Sequence, residues 1–164
     1  MIAALKFLHL GTMLIWCAAL IALPVILWIY EGLWRKRGAG KAQTRYAEFR
    51  LITHYGYIAV ATPAAVISVA AGTGLIFAAE VFDLWFAAKL TLVCVMVLTH
   101  AWIGQMILIT GESRGMVRLS SPPVALSLGA AAMLGVLWLV LAKPDLAGLT
   151  AFMPRFMLTP WGAL

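Results

Sequence analysis

The stretch LTLVCVMVLTHAWIGQMILITG, residues 90–111, decides the fold. It contains no Asp, Glu, Lys or Arg, and at about 1.5 Å per helical residue it is long enough to cross the roughly 30 Å hydrocarbon layer of a bilayer. Working outward from it, Phe7 to Tyr30, Leu51 to Ala79 and Leu119 to Ala142 are likewise free of charged residues. These runs are continuously apolar instead of alternating, which argues against barrel strands, and a spanning segment must satisfy its own backbone hydrogen bonds. The sequence therefore predicts an all-α integral membrane bundle of four transmembrane helices, over about residues 7–30, 51–79, 86–111 and 119–142. Residues 1–143 form one domain, followed by a tail, 144–164.

Composition agrees. Of 164 residues, 64% are hydrophobic and 11% charged, against about 45–50% and about 25% in a soluble domain. Twelve Lys and Arg against six Asp and Glu give a net charge of +6, but the charges lie between the apolar runs and report topology, not nucleic-acid binding. Cys17 and Cys94 both sit inside apolar runs without a CxxC spacing, so neither a disulfide framework nor a zinc site is indicated.

The first connection carries Arg35, Lys36, Arg37, Lys41, Arg45 and Arg50, the second only Glu80 and Asp83, and the third Arg114 and Arg118. The positive-inside bias predicts that the first and third connections are cytoplasmic and that both termini lie on the outer, periplasmic side of a bacterial inner membrane. The basic cluster follows the first apolar run instead of preceding it, so that run is expected to stay as a helix and not to be cleaved. In the tail, Pro144, Pro154 and Pro160 rule out a further span. The tail is expected to lie along the interface with Trp161 as anchor, or to dock on a partner. Small residues at Ser127, Ala131 and Gly135, and at Ser68 and Gly72, mark expected close helix approaches.

Ionisable groups inside spans are rare and face the bundle interior. Here they are His9, His54, Lys89 and His100. Counting from the span centres at about 1.5 Å per residue puts His100 within roughly 5 Å of the midplane and His9 about 13 Å towards the outer side, which separates the two by about 18 Å along the membrane normal. His100 is thus the leading ligand candidate, since a neutral imidazole at that depth needs either a metal or a hydrogen-bonding neighbour. Lys89, Met96 and His100 share one face of the third helix, and Lys89 either snorkels or binds an anionic group at the outer boundary. A porphyrin would use both features, an apolar slot for its ring and a cation for its propionates. A second pattern, His9, Met13 and Cys17 at four-residue spacing with Cys94, Met96 and His100 on the third helix, offers soft ligands to Cu(I).

At this point the residues resemble a family. Lys6-x-x-His9 followed by Trp16, then Thr62-Pro63 leading to Gly74-Leu75-Ile76-Phe77, then Trp85-x-x-x-Lys89-Leu90 with His100 and Gly104, is similar to the HemJ-type protoporphyrinogen oxidases and the related membrane region of CopD-type copper-resistance proteins. The resemblance implies a bundle of four or five helices that binds haem b. It implies His9, Trp16, Lys89 and His100 around the cofactor, with His100 and His9 as iron ligands. It also implies oxidation of protoporphyrinogen IX to protoporphyrin IX, with electrons passed to quinone or a respiratory chain.

The chain departs from the family where Val25, Ala87 and Gln105 stand for polar or basic residues, where His54, Tyr55 and Ile58 replace the basic residues and Asn that open the second helix, and where Ser120-Ser121 replaces an Asn-Glu pair. Removing hydrogens from a porphyrinogen needs proton acceptors, for which His9, His54 and Glu112 are the available substitutes. Three functions remain open on the sequence: a haem-dependent oxidase, a non-catalytic or electron-transfer subunit of a respiratory complex, and copper handling, with quinone or lipid binding behind them. Lipid, porphyrin or quinone, respiratory subunits and a second copy of the chain are the expected partners.

Overall fold

Apolar helices gain little from hiding one face from lipid, so a membrane bundle is held by close packing and by polar contacts between helices. The computed structural model describes residues 2–37, 43–79, 84–112 and 121–142. They form α1 (Ile2–Arg37), α2 (Gln43–Tyr55), a π-helical turn (Gly56–Ala61), α3 (Thr62–Ala79), α4 (Leu84–Glu112) and α5 (Pro122–Ala142). Four stretches are long and apolar enough to cross a membrane: Ile2–Gly32, Glu48–Ala78, Trp85–Thr110 and Pro122–Ala142. The fold is the four-span helical bundle that the apolar runs predict, with no strand among the described residues. The tail 144–164 with Trp161, the residues Glu80 and Asp83, and Arg114 and Arg118 lie outside the described residues.

The fourth span is described from Pro122 to Ala142, and Leu119 lies outside the described residues. Pro122 and Pro123 lack the N–H groups that the first turn leaves unbonded anyway, and a proline disfavours helical backbone in the residue before it. Ser121, just outside the helix, has a positive φ of 50°, and its carbonyl accepts from the backbone N–H of Val124 at 2.9 Å. One expectation is corrected in part, the ridge Ser127, Ala131, Gly135. Ser127 and Ala131 are exposed, and Ser127 donates its hydroxyl to the Val124 carbonyl at 3.0 Å, whereas Gly135 does take a close approach, a Cβ there meeting the Leu92 side chain of α4 at 3.0 Å. The buried face of α5 is Pro122, Ala125, Gly129, Ala132, Val136 and Leu139.

The central helix is α1, which packs against α3 on one side and α5 on the other, while α4 packs on α5. It offers Trp16, Leu20, Leu23 and Leu27, whereas the buried face of α3 is small throughout, Ala64, Ala65, Ser68 and Ala71, continuing from Ala61 at the end of the π-helical turn. Large side chains thus enter the shallow surface of an alanine-lined helix, which lets the backbones approach and maximises dispersion contacts. The two helices run antiparallel, with Leu5 beside Gly74, His9 beside Gly72 and Leu23 beside Gly56. Much of the outward surface is apolar and suited to lipid: Leu14, Phe77 and Leu134 are 68%, 71% and 66% exposed.

Tightness varies along the bundle. A Cβ placed at Gly104 on α4 would land on the Tyr57 side chain, whereas one at Gly11 would meet nothing within 4 Å. Gly104→Ala is therefore expected to destabilise the bundle by about 1–3 kcal/mol through overpacking, with Gly11→Ala neutral or stabilising. Denaturant titration of the two variants in detergent micelles measures the difference.

Candidate functional site

An imidazole far from water must find protein partners for both ring nitrogens. His100 on α4 is 9% exposed and has both. The Trp16 indole Nε1 donates to His100 Nδ1 at 3.4 Å, and the Thr62 hydroxyl oxygen lies 3.3 Å from His100 Nε2. Both contacts are at the long end of the hydrogen-bonding range. An indole N–H only donates, so Nδ1 must be the acceptor and the proton of the neutral ring sits on Nε2. That N–H then points at the Thr62 oxygen, whose own hydrogen goes to the Tyr57 carbonyl at 2.9 Å.

The rest of the ring is also covered. Tyr57 stacks on it with centroids 4.7 Å apart and planes 18° apart, while Trp16 meets it edge-on at 6.2 Å and 79°. The Tyr57 hydroxyl donates to the His100 carbonyl at 3.3 Å. The π-helical turn explains how Tyr57 and Thr62 both reach the same residue. In an α-helix, residues five apart diverge by about 140° around the axis. The wider turn, in which the Thr62 N–H bonds the Tyr57 carbonyl, brings that pair onto one side. Pro63 follows at once and supplies no N–H of its own.

His9 is placed differently. Its Nδ1 lies 2.8 Å from the Ser68 carbonyl on α3. A carbonyl only accepts, so Nδ1 carries the proton and Nε2 keeps its lone pair. The ring lies across Gly72, where a Cβ would come within 2.9 Å of His9 Cε1. Glycine at 72 is what allows imidazole and α3 backbone to approach so closely. Ser68 and Gly72, legible in the sequence as a close-packing pair, thus cradle the His9 ring.

The structure does not bring His9 and His100 together. His100 is level with Trp16, seven residues along α1 from His9, which is about 10 Å along the helix axis. That is closer than the 18 Å expected from span centres, because α4 is shifted relative to α1, but one iron held by both residues would still need them level. Lys89 is half-buried with Nζ 5.7 Å from the Trp85 ring centroid, and Trp85 is fixed by donating to the Leu139 carbonyl at 2.8 Å. His54 is exposed on α2 and is not among the partners of His100. The Glu112 side chain lies outside the described residues.

The copper stripe His9, Met13 and Cys17 runs along α1 with all three side chains half-buried, whereas Cys94 is exposed and Met96 is buried in the core. Among the described residues, no three His, Cys, Asp or Glu side chains gather closely enough to hold a metal ion. Tyr57 is the residue that sequence reasoning missed. A tyrosine in an apolar run five residues before Thr-Pro was the available signal.

Comparison of the chain with protein-family models, with curated proteins and with solved structures found no match.

The His100 network predicts an asymmetry among threonines. Thr62→Val strands the His100 Nε2–H and is expected to cost about 1–3 kcal/mol. Thr73→Val and Thr91→Val remove only hydroxyls bonded within their own helices, to Val69 and Ala87, and are expected to stay within about 0.5 kcal/mol of the parent. Thermal unfolding of the three variants in one detergent provides the comparison.

Proposed function

We propose that the chain is a haem b-binding, multi-pass membrane redox protein in which His9 holds the iron. One observation carries this reading: His9 gives its Nδ1–H to the Ser68 carbonyl at 2.8 Å and leaves Nε2 with a free lone pair. A backbone carbonyl behind the ring is the arrangement that fixes tautomer and orientation in metal-binding histidines and raises their basicity. His100, with both nitrogens engaged, is the less suitable ligand, because iron there would displace the indole or the hydroxyl. It serves instead to fix the helices around the site.

Lys89 suits the propionate edge. It lies eleven residues before His100 on α4, or about 16 Å towards the end of the bundle where α1 begins. It is therefore several ångströms beyond the level of His9, where a cation can meet a carboxylate at the membrane boundary. The positive-inside pattern makes this the outer face. The resemblance to HemJ-type proteins supports the same cofactor and names protoporphyrinogen IX as reductant, with quinone or a respiratory chain as electron acceptor.

A second reading, an electron-transfer subunit without oxidase activity, draws on a further observation. The carboxylates with described side chains, Glu31 and Glu48, lie at the end of the bundle opposite His9. A porphyrinogen bound near His9 would be far from either as a proton acceptor. Haem-loaded protein that forms protoporphyrin from protoporphyrinogen supports the first reading, and haem-loaded protein that forms none supports the second.

The expected result for purified protein is a pyridine haemochrome of b type. His9→Ala is expected to lose the cofactor, while folded His100→Leu protein keeps it. Lys89→Gln is expected to release haem about tenfold faster, the effect of losing one charge-assisted hydrogen bond. Colourless protein that takes up no added hemin, or haem retained by His9→Ala and lost from folded His100→Leu, contradicts the assignment.

A further inference from the structure

The bilayer-facing side of α4 is not uniformly apolar. Gln105 is exposed, and among the described residues it makes no hydrogen bond. It stands five residues inside the end of the span Trp85–Thr110, about 8 Å in along the axis. The Cα–Cβ bond of a helical residue tilts towards the helix N-terminus, which here leads deeper into the hydrocarbon and away from the nearer boundary. An amide has two N–H donors and a carbonyl acceptor, and lipid tails satisfy none of them.

The surroundings of Gln105 form a seam. Ala87, Thr91, Cys94, Leu98, Ala101, Gln105 and Leu108 recur at alternating spacings of four and three, and each is exposed. This is the repeat of a left-handed helix pair. Most of these side chains are small, as interfaces between membrane helices require. Thr91 spends its hydroxyl on the Ala87 carbonyl at 3.0 Å, so Gln105 is the seam's polar group still in need of a partner.

We propose that a second copy of this chain packs on this face, α4 against α4, with the two Gln105 amides hydrogen-bonded across a two-fold axis along the membrane normal. Two copies in one membrane share a topology, so such an axis sets each residue opposite its own counterpart. A primary amide is complementary to itself under that operation, since each supplies a donor and an acceptor. The repeat of four and three suits a parallel helix of the same sequence. The same symmetry brings Cys94 to Cys94 at the small-residue part of the seam, where Cα atoms of facing positions come within disulfide reach.

Oxidative crosslinking of the full chain in native membranes tests the proposal, using Cys17→Ala protein so that Cys94 is the sole cysteine. The expected product is a covalent homodimer that forms far faster than with a control carrying C94A and L134C, which places a cysteine on the exposed face of α5. Gln105→Leu is expected to weaken association about three- to tenfold in a dilution series, as loss of an interhelical hydrogen bond does in a membrane, and Gln105→Asn is expected to retain most of it. Because Gln105 is exposed, circular dichroism and the unfolding midpoint of Gln105→Leu should match the parent, which separates lost association from lost folding. Photobleaching of singly labelled parent protein is expected to show two steps. The proposal is overturned by crosslinking no faster than the α5 control, by an unchanged dimer fraction in Gln105→Leu, by single-step photobleaching, or by Cys94 linking to a different polypeptide in place of its own copy.

Discussion

An imidazole in hydrocarbon has two nitrogens to satisfy and no water to do it with, and much of this bundle is arranged around that requirement at His100. Trp16 comes from α1, Tyr57 and Thr62 from the π-helical turn and the start of α3, and the ring itself from α4. Three of the four spans are tied at one level near the middle of the membrane. In a soluble core such a group would compete with burial of apolar surface. In lipid, where helices gain little from apolar contact as such, a satisfied polar cluster specifies register.

That register then decides what the neighbouring residues can do. With Trp16 level with Thr62, the large side chains of α1 fall on the alanine face of α3, and His9 falls on Ser68 and Gly72. His9 and His100 consequently differ in kind. His100 is consumed by its partners, whereas His9 is oriented by one partner and left with a lone pair. The two tautomers, which the residue type cannot separate, are separated by the acceptor or donor nature of what each Nδ1 meets: an indole N–H for His100, a carbonyl for His9.

The four spans are legible in the sequence because charge and hydropathy change sharply at their ends, and the mid-span position of His100 follows from counting along one helix. What lay outside sequence reasoning was anything that depends on how helices rotate against one another. Ser127, Ala131 and Gly135 look like a packing ridge, yet α5 turns Ala125, Gly129 and Ala132 inward. Tyr57 and Thr62 stand far apart around an α-helix and come together only through the π-helical turn, for which the tyrosine five residues before Thr62-Pro63 is the one sequence signal. The offset of His9 from His100 was overestimated because span centres are a poor guide to the axial shift between neighbouring helices.

The central claim is that half-buried His9 and buried His100 are held in opposite tautomers. Nitrogen-15 NMR of histidine-labelled protein in bilayers at neutral pH reports the protonated nitrogen of each ring directly, and with only three histidines the signals are assignable by substitution. The expected result is that His100 carries its proton on Nε2 and that His9 carries its proton on Nδ1. A His100 ring protonated on Nδ1 cannot accept from Trp16, and that result would contradict the account.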